Sequence, residues 1–451
     1  MRAPRLQFGL LCLAAASASA CSWSRFDDVT ADSPIVLLER PGSLKSGFGT
    51  SVSTATNGTT VVLVGGGAGD HSGAALYDIG SDTSPSTTSV DSGYCAGGTA
   101  DCFLSSQLAG FANAPGPDMQ RPLCFAVGTG SVMKQGLELR CRDASEYTLD
   151  IPTSAQNLLT FALGENQAYD FPMATDRTEH PELLVTVVSE PDVHAAWFYP
   201  PSSIHFSELK APNKSMFADA SFGQSVAVLA NAGSERILAV GASGKSEVLL
   251  WKSDGASSSY IGCLGGTTGF GRVLAAGKVN KDAADDLVIS DDINVYAIDG
   301  AALAELPETT STECSFSSLP AGALLGSFGC GSSSSMTGCD TSKFGAALAV
   351  GDLDGDGDGE IIVGAPNMTV RGESGAGAIL VFDADDPTDA SFADAKFLSS
   401  AEAGDAMGSS LSTPHIDSRD IIAAGGPTHG KAALFYCSPL LAHGAGGSRC
   451  P

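Results

Sequence analysis

Positive charge is scarce in this chain: 24 Lys and Arg stand against 51 Asp and Glu, a formal net charge of −27 at pH 7. Such a surface repels phosphate backbones and anionic headgroups, which sets nucleic acid aside as a partner and leaves cations, neutral glycans and basic proteins. Long apolar runs are also missing. Past the first residues, no stretch reaches the about 18 uninterrupted apolar residues of a membrane-crossing helix. There is no Cys-x-x-Cys pair to suggest a thiolate metal site. The 7 histidines form no metal-spaced pair, no Gly-x-Ser-x-Gly elbow occurs, and no Ser/His/Asp set stands out among so many serines. Ala239 to Ser246, with Gly244-Lys245-Ser246, fits a loose phosphate-loop pattern. The SEVLLW that follows reads as a strand, whereas a phosphate needs a helix N-terminus there. No catalytic residue is assigned.

The start of the chain is informative. Residues 1–20 divide into a basic opening with Arg2 and Arg5, an apolar run, and the small-residue stretch Ala18-Ser19-Ala20, the layout of an export signal. Two processing routes fit: plain cleavage at a small-x-small site, or a lipobox-like junction that lipidates Cys21. Cysteine arithmetic favours the second. Setting aside Cys12 in the signal and Cys21 at the junction, the 12 cysteines leave an even set suited to an oxidising compartment. Short loops favour pairing Cys95/Cys102, Cys124/Cys141, Cys263/Cys314, Cys330/Cys339 and Cys437/Cys450. The expected organisation is a signal peptide over 1–20, a short tether over 21–33 and one domain over 34–451. The expected location is the cell envelope, lipid-anchored at Cys21 in the outer membrane or periplasm, and otherwise secreted.

Self-similarity decides the architecture. An apolar strand, a Gly-rich or polar turn and a second apolar strand recur in residues 61–80, 123–143, 182–200, 236–255, 286–300, 361–384 and 420–437. Upstream of most copies stands an apolar residue and glycine: Phe48-Gly49, Phe222-Gly223, Phe270-Gly271, Phe344-Gly345 and Met407-Gly408. In the second and third copies the matching places are given to Phe111 and Phe171, which have lost the glycine. Short strands rich in Val, Ile, Leu and Ala make small sheets apolar on both faces. Such sheets keep dry by stacking radially around an axis. The expectation is an all-β chain: a seven-bladed β-propeller of four-stranded antiparallel blades.

The segment KFGAALAVGDLDGDGDGEIIVGAP, residues 343–366, resembles the FG-GAP repeat of integrin α-subunit propellers and of many bacterial exported proteins. Within it, Asp352, Asp354, Asp356, Asp358 and Glu360 alternate with glycines that let the chain curl, so hard oxygen donors converge as calcium requires. The resemblance implies the same assignment: the side chains of Asp352, Asp354, Asp356 and Glu360, and the carbonyl of Asp358. An EF-hand is excluded by the flanking strands and the missing twelfth-position Glu, and four carboxylates without a cation would repel one another. One Ca2+ is expected. The preceding copy offers Lys278, Asn280, Asp282, Ala284 and Asp286 at the same places, and the Lys278 ammonium could substitute there for the ion.

The resemblance also implies that ligands meet the face opposite the calcium loop, built partly from turns between second and third strands. That face would carry Asp70, His71, Lys245, Arg371, Glu373, His429 and Lys431. The reading is an exported, calcium-binding, adhesion-like module for a protein or polysaccharide ligand at the cell surface. The alternative is a propeller-fold polysaccharide lyase or hydrolase.

Overall fold

The computed structural model describes residues 35–41, 47–56, 60–66, 73–79, 86–88, the strands between 103 and 208 with residue 209, 221–231, 235–254, 257–291, 293–316, 319–329, 342–353, 355–370, 372–382, 395–398, 402–416 and 419–435. Among these, the strands form seven four-stranded antiparallel sheets and a two-stranded ribbon. Among the described residues, α-helix is confined to one turn, Gly300–Ala304, capped by the Asp299 side chain, which accepts from the Ala302 N–H. Among the described residues, no helix is long and apolar enough to cross a membrane.

Numbered in chain order, the sheets begin with Ser51–Thr56, Phe103–Phe111, Met173–Thr175, Phe222–Ala230, Val273–Gly277, Ala347–Gly351 and Ser410–Ser412. Each of these first strands touches the first strand of the next sheet, and Ser410–Ser412 touches Ser51–Thr56. This is the radial arrangement of a β-propeller. In the first six sheets the strands neighbour one another in sequence order. The seventh differs, because its fourth strand is Ile35–Leu37 from the start of the chain, paired antiparallel with Lys431–Phe435. Sequence reading placed the domain's start near this strand without giving it that role.

The core lies in the seams between sheets, as strand alternation dictates. In Asp286–Ser290, Val288 joins Phe344, Leu348 and Ile361 of the sixth sheet, while Leu287 and Ile289 join Leu229, Ile237 and Leu250 of the fourth. Ile362 packs toward Ile422 and Phe435 of the seventh sheet. Residues of the seventh sheet, Ala423 and Leu434, share a cluster with Phe48, Val62 and Tyr77 of the first. A run apolar at every position, such as the IIVGA that follows Glu360, is therefore buried throughout.

The apolar-Gly dipeptides build these seams. Phe48, Phe222, Phe270, Phe344 and Met407 are all buried at 2% exposure or less. The glycines that follow them, Gly49, Gly223, Gly271, Gly345 and Gly408, have φ between 78° and 91°, where a Cβ is penalised. Their turns are closed by N–H donation to the second strand, from Gly271 to Ser290 O, Gly345 to Gly364 O and Gly408 to Gly425 O, each at 3.0 Å. A second glycine then admits the neighbouring sheet. A Cβ at Gly241 would lie 2.1 Å from Gly271 O, one at Gly364 2.0 Å from Gly408 O, and one at Gly425 1.9 Å from Gly49 O. The Gly425 contact joins the seventh sheet to the first by the same geometry that joins the fourth to the fifth.

One expectation is corrected here. Strand register pairs Phe103 with Gly130 just as Phe222 pairs with Ala242, each pairing followed by a register shift. Phe103 thus holds the anchor place of the second sheet, and Phe111 closes that strand opposite Cys124. The signal was hidden because Leu104, not glycine, follows Phe103. Phe171 lies outside the described residues.

Cys263 and Cys314 form a disulfide, as the short-loop pairing expected. Cys124 and Cys141 are directly opposed in register, a backbone spacing that a disulfide can bridge. The other expected pairs, with Cys21, fall outside the described residues.

Candidate cation loop and the opposite face

The acidic loop joins Ala347–Gly351 to Glu360–Ala365, the first and second strands of the sixth sheet. Gly355 and Gly357, at φ 81° and 101°, bend it back on itself. The Asp352 carboxylate accepts N–H bonds from Gly355 at 2.6 Å and from Asp356 and Gly357 at 3.1 Å each. Glu360 accepts from Leu353 N–H at 2.7 Å, and Asp356 from Asp358 N–H at 3.2 Å. Asp358 and Glu360 are buried, and Asp354 lies outside the described residues. The donors are all oxygen, as a hard cation demands. Asp356 is held below the usual carboxylate range, first by a hydrogen bond from the Asp358 carboxyl and further by Lys281. Carboxylates gathered on one turn, as those of Asp352, Asp356, Asp358 and Glu360 are, mark a position where a cation would relieve repulsion.

The loop of the fifth sheet has the same shape. Asp286 accepts from Val279 N–H at 2.8 Å as Glu360 does from Leu353, and Asp282 accepts from Ala284 N–H at 2.8 Å as Asp356 does from Asp358. Asn280 adds a bond from Asp282 N–H at 2.9 Å. The Lys278 ammonium, expected among these acids, has no hydrogen-bond or ion-pair partner among the described residues. Its carbonyl instead accepts the Gly359 N–H at 2.5 Å, tying the two loops together. It is Lys281 that meets acids, and they belong to the neighbouring loop: Asp356 at 3.1 Å and Asp358 at 3.2 Å. Similar ties recur around the molecule: the Asp285 carboxylate accepts from the Ala230 N–H, and the Asp420 carboxylate from the Asp352 N–H.

Burial pushes Asp286 up to about 7 against the pull of three N–H donors, Gly300, Val279 and Asn280. A carboxyl raised in the folded state stabilises the fold fully below its unfolded value and loses that contribution as pH rises through about 7. Thermal unfolding should therefore give a lower Tm at pH 8 than at pH 5.5. Asp286→Asn, which keeps one acceptor oxygen and cannot ionise, should narrow that difference; an undiminished difference would assign it elsewhere.

The turns between second and third strands lie at the other end of the sheets. Asp70, His71 and Arg371 are outside the described residues, and Lys245 sits in the fourth sheet's turn, where its N–H donates to Ala242 O. Glu373, His429 and Lys431 come together around the connection that enters the seventh sheet: Gly404 N–H donates to Ser374 O, and Ala406 N–H to Gly375 O. At its centre is Asp405, fully buried, which sequence reading missed. His429 Nδ1 lies 2.8 Å from Asp405, and the Lys431 ammonium lies 3.0 Å from Asp405 and 2.7 Å from Glu402. The ion pairs push Lys431 up despite opposing burial. The only hint in the sequence is an acid two residues before Met407-Gly408.

A channel of about 1030 Å3 runs between the first strands and is walled by Arg272, Lys278, Asp285, Asp352 and Asp420 among others. Asp285 and Asp420 are already engaged in the inter-sheet ties.

An all-β chain of antiparallel four-stranded sheets, arranged as a β-propeller with an acidic loop between first and second strands, defines the class. Residues 344–382 match the FG-GAP repeat. Curated protein sequences give no significant match. Among solved structures, the chain is similar to a fungal lectin from Aleuria aurantia, described as a six-bladed β-propeller with a novel fucose recognition mode. Identity is 10% over 74% of this chain and 93% of that one, with a TM-score of 0.42. A substituted form of the same lectin, in complex with α-methyl-L-fucoside, has the same identity and coverage and a TM-score of 0.38.

Proposed function

We propose that the protein is an exported seven-bladed β-propeller that holds one calcium ion at Asp352, Asp354, Asp356, Asp358 and Glu360. In this reading it is tethered through Cys21 and presents the opposite face to a protein or glycan at the cell surface. The supporting observation is the return of the seventh sheet onto the first, through the contact of Ser410–Ser412 with Ser51–Thr56 and the approach of Gly425 to Gly49. A closed ring separates two faces: the acidic loop on one, and the exposed polar groups around Asp405 on the other. Calcium would act structurally, drawing its carboxylates into one turn and stiffening the joint between two strands, while the protein's own ligand meets His429, Lys431, Glu402 and Glu373.

His429 beside the buried Asp405 also favours a second reading, hydrolysis or elimination on a polysaccharide with His429 as proton acceptor. The engagement of Lys431 with Glu402 and Asp405, and of the channel's acids with backbone, favours binding.

A glycan and surface-protein array, probed with and without calcium, should yield ligands whose retention falls about tenfold or more in Lys431→Ala. Retention unchanged in Lys431→Ala and His429→Ala alike would remove this face from the reading. Turnover of a retained polysaccharide would select the enzyme.

A further inference from the structure

We infer that Lys281, carried by the fifth sheet, is a built-in competitor for the cation site of the sixth sheet's loop. The inference rests on the calcium reading above. Three observations carry it. The Lys281 ammonium lies within ion-pair distance of the Asp356 carboxylate, which is assigned to the ion, and of the carboxylate of Asp358, the residue whose carbonyl is assigned to it. The loop that bears it keeps the shape of a cation loop by its own hydrogen bonds, from Asp282 N–H to Asn280 and from Ala284 N–H to Asp282, so it needs no ion to hold Lys281 in place. The Gly359 N–H bond to Lys278 O then fixes that loop against its neighbour.

An ammonium and a divalent cation compete for the Asp356 carboxylate and repel one another across it. Without calcium, Lys281 offsets the repulsion among Asp352, Asp356, Asp358 and Glu360; with calcium, the ammonium is repelled and swings into solvent, where its side chain is already 57% exposed. Affinity for calcium is therefore lowered by the cost of expelling Lys281. The sheet-to-sheet ion pair is then lost, and the Gly359 N–H bond to Lys278 O remains.

The test is titration of the full chain with calcium chloride by calorimetry, in the wild type, Lys281→Met and Lys281→Arg. An exposed ion pair of this kind should make Lys281→Met bind calcium roughly fivefold tighter, with Lys281→Arg close to the wild type. Melting should show a crossing: Lys281→Met below the wild type in EDTA, and level with it or above in saturating calcium. Added salt should shrink the gap. Lys281→Met binding where the wild type does not would support the inference more strongly. Equal or weaker affinity in Lys281→Met overturns it while leaving the calcium reading intact. Binding by neither protein overturns both.

Discussion

Gly425→Ala should lose about 3 kcal/mol of stability by urea denaturation, because its Cβ would lie 1.9 Å from the Gly49 carbonyl of the first sheet and 2.4 Å from the Ser410 hydroxyl. Neither atom can yield cheaply. Gly49 is itself held at φ 91°, and Ser410 Oγ donates to that same carbonyl at 2.9 Å. Gly241→Ala and Gly364→Ala meet the equivalent carbonyls, Gly271 O and Gly408 O, and should cost comparable amounts. Gly322→Ala is the control: φ is 89° but nothing lies within 4 Å, so only the backbone penalty of about 1–2 kcal/mol applies. In an open row of sheets Gly425 would face solvent. Gly425→Ala would then be nearly neutral while Gly241→Ala stayed costly, which separates a ring from a row.

Calcium at 100 times its Kd should stabilise the wild type by about 2.7 kcal/mol, a rise in Tm of roughly 3 °C for a domain this large. The double variant Asp354→Ala, Asp356→Ala should lose that rise. Asp356 has two functions in the ion-free loop, accepting from Asp358 N–H and pairing with Lys281, so the variant should also melt lower in EDTA. Asp282→Ala in the fifth sheet is the comparison. Its loop has the same hydrogen-bonded shape but Lys278 at the first position, and the calcium-dependent rise should survive there. A rise that persists in the double variant would refute the ligand assignment.

Legibility in the sequence followed from how local each signal is. The apolar-Gly dipeptides were readable because one position demands both a buried wedge and a left-handed backbone, and few residue pairs satisfy both. Phe103-Leu104 shows the limit: register preserved the anchor, but the glycine that advertised it was absent. Alternating Asp and Gly over 352–360 were readable for the same reason, since donor spacing and turn freedom are both encoded within nine consecutive residues. What stayed hidden depends on distance along the chain. Asp405 gains its partners from residues 24 and 26 positions away, Lys281 reaches an acid 75 positions away, and Ile35–Leu37 pairs with Lys431–Phe435 across nearly the whole domain. Periodicity reports that a strand is apolar; it does not report which sheet receives it.

That last pairing is the closure of the ring, and amide hydrogen exchange reads it directly. In the described register, Ile35, Val36 and Leu37 face Phe435, Leu434 and Ala433, and the Leu38 N–H donates to Ala432 O at 2.9 Å. Peptides covering residues 35–38 should be protected nearly as strongly as those covering Ile422–Gly426 and should open only with global unfolding. Exchange of 35–38 at the rate of an unstructured peptide, while Ile422–Gly426 remains protected, would contradict the closed ring.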